Sequence, residues 1–153
     1  MTAIADRLAE LGLELPPVAK PVAAYVPAVV TGNLVFTAGQ LPFVNGTLAA
    51  TGKFGAALAA DDGAALARIC VLNALAAAES VIGSLDRVTR VVKVVAFVAS
   101  TPDFTGQPGI ANGASELLGQ IFGDAGQHAR SAVGVAVLPL DAPVEVELIL
   151  EFA

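Results

Sequence analysis

The order of local signals along the chain predicts an α+β fold, with one mixed β-sheet and two helices packed on one face. Three observations carry this. The segments read helix, β, β, helix, β, helix, β, β, with hairpins at both ends and helical crossovers between them. The longer interior helix is apolar around most of its circumference, so it is expected to be buried on more than one side. The stretch Val88–Ala99 is rich in β-branched residues and carries only Arg90 and Lys93 as charges, the pattern of a central strand.

Taken in order, residues 2–13 read as a short amphipathic helix. Thr2 is placed to cap it, Ile4, Leu8, Leu11 and Leu15 recur at helical spacing, and Pro16 with Pro17 is expected to end it. Residues 17–27 are Pro-rich and read as extended. Residues 26–30 and 34–38 are short β-like runs, and Thr31-Gly32-Asn33 between them supplies the turn of a hairpin. Residues 44–56, rich in Gly and Thr, read as a loop. Asp61 and Asp62 open a long helix running to about Ile82, where acidic residues suit the helix dipole, and Gly83 with Ser84 ends it. A further helix spans roughly 108–122, with Pro108 near its start. Residues 123–127 read as a loop, 130–138 as a strand and 140–143 as a turn. In the last strand, Val144–Phe152, Glu145, Glu147 and Glu151 alternate with apolar neighbours. No repeat, linker or low-complexity segment interrupts the chain. It reads as one domain over 1–153, with 1–17 a helical extension.

Composition narrows the function classes. Of 153 residues, 56% are hydrophobic and 14% charged, against roughly a quarter charged in an average chain. A small domain buries only part of its surface, so apolar area is expected to be shared between subunits. The net charge is −6 with eight Lys and Arg, which disfavours nucleic acid and anionic membrane surfaces as partners. Asp6, Arg7 and Glu10 near the start do not make a secretory signal, and no uncharged apolar run of membrane-spanning length stands out. The expected compartment is the cytoplasm.

Few side chains could carry chemistry. Cys70 is the only cysteine and lies in an apolar helix, so a packed thiol is expected. His128 is the only histidine, which excludes a His-rich metal site and weakens any Ser-His-Asp arrangement. Its simplest role is that of a solvated or hydrogen-bonded residue. No phosphate-cradling Gly-rich loop occurs, so no metal and no cofactor is expected.

What remains is Arg130, a cation preceding an almost wholly apolar strand. A guanidinium stays charged, and its planar fork fits a carboxylate bidentately. Two readings stand side by side. Arg130 pairs with an acid such as Glu145 across a hairpin to 144–147, or it holds the carboxylate of a small substrate in an apolar pocket. Glu145 is either a solvated strand residue or a carboxylate that positions or deprotonates a water. Tyr25, the sole tyrosine, reads as a core or rim ring, and Asn112 is an unfavourable residue inside a helix that hints at a polar task.

At these residues the chain resembles the RidA/YjgF family, also labelled endoribonuclease L-PSP. The match runs from about Lys20 to the end. Its strongest part is Ala129-Arg130-Ser131-Ala132-Val133, then Leu138-Pro139, then Val144-Glu145-Val146-Glu147. A second signature is the run from Gly32-Asn33 through Ala38-Gly39-Gln40-Leu41-Pro42. The first helix and the run from Ala111-Asn112 to Leu118 look like a divergent, chorismate-mutase-like branch. The resemblance implies a homotrimer with a small carboxylate-bearing ligand in clefts between subunits. For active members it also implies hydrolysis of enamine/imine intermediates, such as 2-aminoacrylate, to a 2-keto acid and ammonia. By position, Arg130 holds the substrate carboxylate and Glu145 orients the water. Gly39 offers backbone contacts near the amino group, Tyr25 and Asn112 line the pocket, and Ala132 keeps a backbone N–H beside it. Active members usually have Ser at Ala38 and Cys at Ala132. A non-catalytic binding or regulatory protein for small carboxylates is therefore the alternative. Ribonuclease and chorismate mutase activities are weaker readings. The first meets a net charge of −6, and the second wants more than one cation for a dicarboxylate.

Overall fold

A computed structural model describes residues 3–21 and 23–153. Thr2, the expected cap, lies outside the described residues. Helix α1 spans Ala3–Glu10 and ends earlier than the prolines suggest. The cause is Gly12, whose φ of 69° lets the chain turn back through Gly12 N–H to Ala9 O at 3.0 Å and Leu13 N–H to Leu8 O at 2.8 Å. At the other end, Asp86 Oδ1 accepts the Ile4 N–H at 2.8 Å and satisfies a first-turn donor from outside the helix.

The five-stranded sheet comprises β1 (Ala28–Thr31), β2 (Leu34–Thr37), β5 (Val88–Ala99), β6 (Ala129–Val135) and β7 (Val144–Phe152), in the order β1-β2-β7-β5-β6. All neighbours are antiparallel except β5 and β6, which are parallel, so the sheet is mixed as expected. The β1–β2 hairpin turns at Gly32-Asn33, with Thr31 opposite Leu34 and Gly32 at φ 58°. Residues 44–56 are not all loop. Phe43–Val44 (β3) and Thr47–Leu48 (β4) pair around Asn45-Gly46, both at positive φ, the requirement of a tight two-residue hairpin turn.

The C-terminal hairpin expected from the sequence does not form. Strand β6 follows β5 through helix α3 (Gln107–Phe122), and such a crossover joins parallel neighbours. That puts β6 on one side of β5, and β7 pairs along the other side. Residues 136–143 cross between them, with Leu140 and Asp141 at positive φ.

Helix α2 (Gly63–Ile82) lies over β7, β2 and β1, and α3 lies over β5 and β6, all on one sheet face. By length and composition the helical stretch Ala60–Ile82, of which α2 is the main part, could cross a membrane, with a mean hydropathy of 1.7 over its most apolar window. Here α2 is the central helix of the core, with twelve of its twenty residues buried. Cys70, Val71, Ala74, Leu75 and Ala78 meet Val144, Val146, Leu148 and Leu150 in one hydrophobic cluster. Among the described residues, no helix covers the opposite sheet face.

The two helices touch at backbone range. A Cβ on Gly113 of α3 would collide with the Ala64 backbone of α2, whereas nothing approaches a Cβ on Gly109, at the exposed start of α3. Gly113→Ala is expected to lower stability by about 1–3 kcal/mol in urea unfolding, because backbone cannot give way as a side chain can. Gly109→Ala is expected to raise it by up to about 1 kcal/mol. A neutral Gly113→Ala would contradict the close packing.

Candidate functional site

Arg130 sits at the second position of β6, opposite Val94 of β5, and so shares the helix-covered face of the sheet with that buried residue. Its side chain lies against α3. Nη1 donates to Asn112 Oδ1 at 2.8 Å and to Ser115 Oγ at 3.2 Å. Residues 112 and 115 are one helical turn apart and face the same way. Asn112 thus has its polar task, and its cost in helix propensity buys a hold on Arg130. Both Nη1 hydrogens are used. Among the described residues, nothing accepts from Nε or Nη2, so one edge of the fork stays open.

Ser115 also meets His128 Nε2 at 2.8 Å, and His128 Nδ1 lies 2.6 Å from Gly126 O. A carbonyl only accepts, so Nδ1 carries the proton. Nε2 then accepts the Ser115 O–H, and the Ser115 oxygen accepts from Arg130. His128 is hydrogen-bonded, as its simplest reading has it, but its partner is the arginine's support. Ala132 lies two residues along β6 from Arg130 on the same face, opposite Ala96.

Glu145 is elsewhere. It pairs with Phe97, which in turn lies opposite Val133, and these three share the uncovered face. Gly39 stands against it: a Cβ there would overlap the Glu145 carboxylate, so only glycine lets the carboxylate lie so close. The neighbouring Gln40 fixes this approach with bonds to Val146 in both directions at 2.8 and 3.0 Å. Tyr25 is about half exposed and precedes Pro27, whose carbonyl accepts from the Ala38 N–H at 2.8 Å. The backbone therefore brings Tyr25 to the Gly39 end of the β1–β2 hairpin.

The ion pair between Arg130 and Glu145 that the sequence left open is not made within the chain. Strand β5 intervenes, which separates them by about 10 Å across the sheet, and a three-residue offset adds about 10 Å along it. They also face opposite sides. The six residues expected at the site thus form two clusters: Arg130, Asn112 and Ala132 at the β6 edge, and Glu145, Gly39 and Tyr25 near the ends of β2 and β7.

Half-burial, and then the nearby Glu147 carboxylate, raise Glu145 above the ordinary carboxylate range. Burial, and then Glu145, push the Cys70 thiol well above its usual value. With its Sγ 3.7 Å from Val144 O, Cys70 is a packed group and not a nucleophile. Among the described residues, no three His, Cys, Asp or Glu side chains gather to hold a metal.

The YjgF/chorismate mutase-like family model matches residues 5–152, which takes in most of α1 as well as the part from Lys20 onward. Protein TCP17 of Trypanosoma cruzi is 45% identical over 149 residues, covering 97% of this chain and 93% of that protein. The crystal structure of protein Atu1372 from Agrobacterium tumefaciens is 41% identical with a TM-score of 0.91, covering 99% of this chain and 93% of that one. E. coli TdcF, solved with bound serine, is 26% identical with a TM-score of 0.65, covering 91% and 94%.

Because the folded state holds a proton on Glu145 more tightly than the unfolded chain does, stability from this group is present at low pH. It is lost as pH rises from the ordinary carboxylate value through the raised one. Glu145→Gln is therefore expected to melt at a higher temperature than the wild type at about pH 7, with the difference closing by about pH 4. An equal or lower melting temperature at the higher pH, in scanning calorimetry, would show that the carboxylate is not disfavoured there.

Proposed function

The chain belongs to the RidA/YjgF family, the YjgF/chorismate mutase-like group, and from that premise we propose that it is an enamine/imine deaminase-like hydrolase. Its substrates are small carboxylate-bearing intermediates of the 2-aminoacrylate type, and it works as a cytoplasmic homotrimer. The observation that carries this is the complementarity of the two clusters. Arg130 is held through Nη1, with an open fork edge and, among the described residues, no acid beside it. Among the described residues, Glu145 has no cation paired with it, and burial with the nearby Glu147 makes it hold its proton more tightly. Each lacks what the other supplies, and β5 keeps them apart in one chain. A neighbouring subunit completes the site.

In this reading the substrate carboxylate lies on the Nε and Nη2 edge of Arg130. The enamine 2-aminoacrylate tautomerises to the imine by protonation at its terminal carbon, so the reacting atom is the imine carbon beside the carboxylate. Glu145 of the adjoining subunit accepts a proton from water as the oxygen attacks that carbon. A carboxylate with a raised pKa is the better base for this. Glu145 passes that proton to the nitrogen of the adduct. The adduct's hydroxyl then gives its own proton to the nitrogen as the C–N bond breaks and its oxygen becomes the keto oxygen, so ammonia and the 2-keto acid result. Gly39 contributes backbone contacts near the nitrogen, and Tyr25, Asn112 and Ala132 line the pocket. TdcF was solved with bound serine, which presents a carboxylate next to an amine, and this supports a ligand of that size and charge.

Ala38 and Ala132 favour a second reading, that of a small-carboxylate binding protein without turnover. An assay that generates 2-aminoacrylate in place and follows keto-acid release separates the two. The wild type is expected to exceed spontaneous hydrolysis, and Arg130→Ala to lose about 100-fold of that gain, the worth of a charge-assisted bidentate contact. Release at the spontaneous rate, together with calorimetric binding of pyruvate, would establish the binding protein instead. Co-folding Arg130→Ala with Glu145→Gln chains is expected to restore roughly a quarter of wild-type activity, as random mixing in a cyclic trimer assembles intact intersubunit sites. No recovery would place both residues in the service of a single chain.

A further inference from the structure

Arg130 is a long, flexible side chain at an edge strand, and holding it in one rotamer costs conformational freedom. A side chain that must present one edge to a ligand needs a second set of contacts to fix it. The structure contains such a set on a single path. Gly126 packs so closely on α3 that any Cβ there would meet Leu118 O and the Gly119 Cα. That anchors the carbonyl to which His128 Nδ1 donates at 2.6 Å. His128 Nε2 then orients the Ser115 hydroxyl at 2.8 Å, so that its lone pair faces Arg130 Nη1 at 3.2 Å. The path leaves α3 at its C-terminal end, returns to it at Ser115 and closes on β6. Asn112 takes the remaining Nη1 hydrogen at 2.8 Å.

We propose that Ser115 and His128 are positioning residues for Arg130, locking Nη1 onto α3 so that only the Nε and Nη2 edge faces the ligand. This rests on the reading of Arg130 as a carboxylate holder and adds a restriction to it. With one edge of one guanidinium available, the seat takes a single carboxylate, side-on.

Side-chain ¹⁵N relaxation of Arg130 Nε–H in the ligand-free protein tests the positioning directly. The wild type is expected to be rigid, with an order parameter near about 0.8, and Ser115→Ala and His128→Asn to fall below about 0.6. His128→Gln, whose side-chain oxygen reaches toward Ser115, is expected to restore most of the rigidity, as is Ser115→Thr. Calorimetry with pyruvate is the second measurement. Ser115→Ala is expected to weaken binding about tenfold in the wild-type background, and to have no further effect in the Arg130→Ala background. An unchanged order parameter in both Ser115→Ala and His128→Asn overturns the proposal, as does an equal loss of pyruvate affinity with and without Arg130. If Arg130 loosens as expected but pyruvate binds to no variant, wild type included, the positioning stands and the carboxylate reading fails. Should Ser115→Ala not fold, the comparison of His128→Asn with His128→Gln decides alone.

Discussion

The intervention of β5 between β6 and β7 is the constraint on which the rest of this molecule depends. A helical crossover from β5 to β6 makes those two strands parallel and drops α3 onto them. That single placement sets Asn112 and Ser115 beside Arg130. It also forces β7 to the other flank of β5, where the alternation that buries Val144 and Val146 turns Glu145 to the uncovered face. The support of the arginine and its separation from the glutamate therefore have one cause. Moving β7 to pair with β6 would bring the two charges together and neutralise both, leaving neither an open fork nor a proton-holding carboxylate.

The uncovered face explains why so apolar a chain keeps so few charges. Helices α2 and α3 take up only one side of the sheet. Across the other side run Val29, Phe36 and Ile149 in one row, and Val133, Phe97 and Glu145 in another. Val29, Phe36 and Val133 are substantially exposed, an apolar surface of the sort that marks an interaction site. Glu145 lies in that surface beside Phe97. The same burial that disfavours its ionised form also strengthens it as a base, so in the proposed reaction the residue costs stability for the property it contributes.

Strands β5 and β7 were legible to the residue, because a β-branched run and an alternation that Glu145, Glu147 and Glu151 make with apolar neighbours are local patterns. The partner of β6 was not, because pairing is decided by which connection carries a helix and not by proximity in sequence. Helix α1 stopped at Glu10, ahead of Gly12 and well before the prolines, since the left-handed glycine turns the chain back onto the last carbonyls before a proline is reached. The β3–β4 hairpin escaped notice because two-residue strands show no alternation, and Asn45-Gly46 was its only mark. At the site, Arg130 stood out as a lone cation on an apolar strand. Ser115 did not, because its role appears only when the three-residue spacing from Asn112 is laid over β6. His128 gave no more than its position two residues before Arg130.

Ala38 and Ala132 bear on what the site can distinguish. The family resemblance implies a hydroxyl and a thiol at these two positions in active members. This chain presents methyl groups there, so in the proposed site the polar contacts fall mainly to Arg130, Glu145 and backbone amides, with Tyr25 and Asn112 at the wall. A buried hydroxyl rejects strongly any ligand that fails to pair with it, whereas an apolar wall discriminates between neighbouring alkyl groups only weakly, by about 1–3 kcal/mol per methylene. With the two clusters joined as proposed, recognition falls on the carboxylate through the fixed edge of Arg130 and on the imine through Glu145. The substituent that distinguishes one such intermediate from another meets mostly carbon. The combination of a rigid carboxylate seat and undemanding walls fits a protein that clears a chemical class of reactive species rather than one member of it.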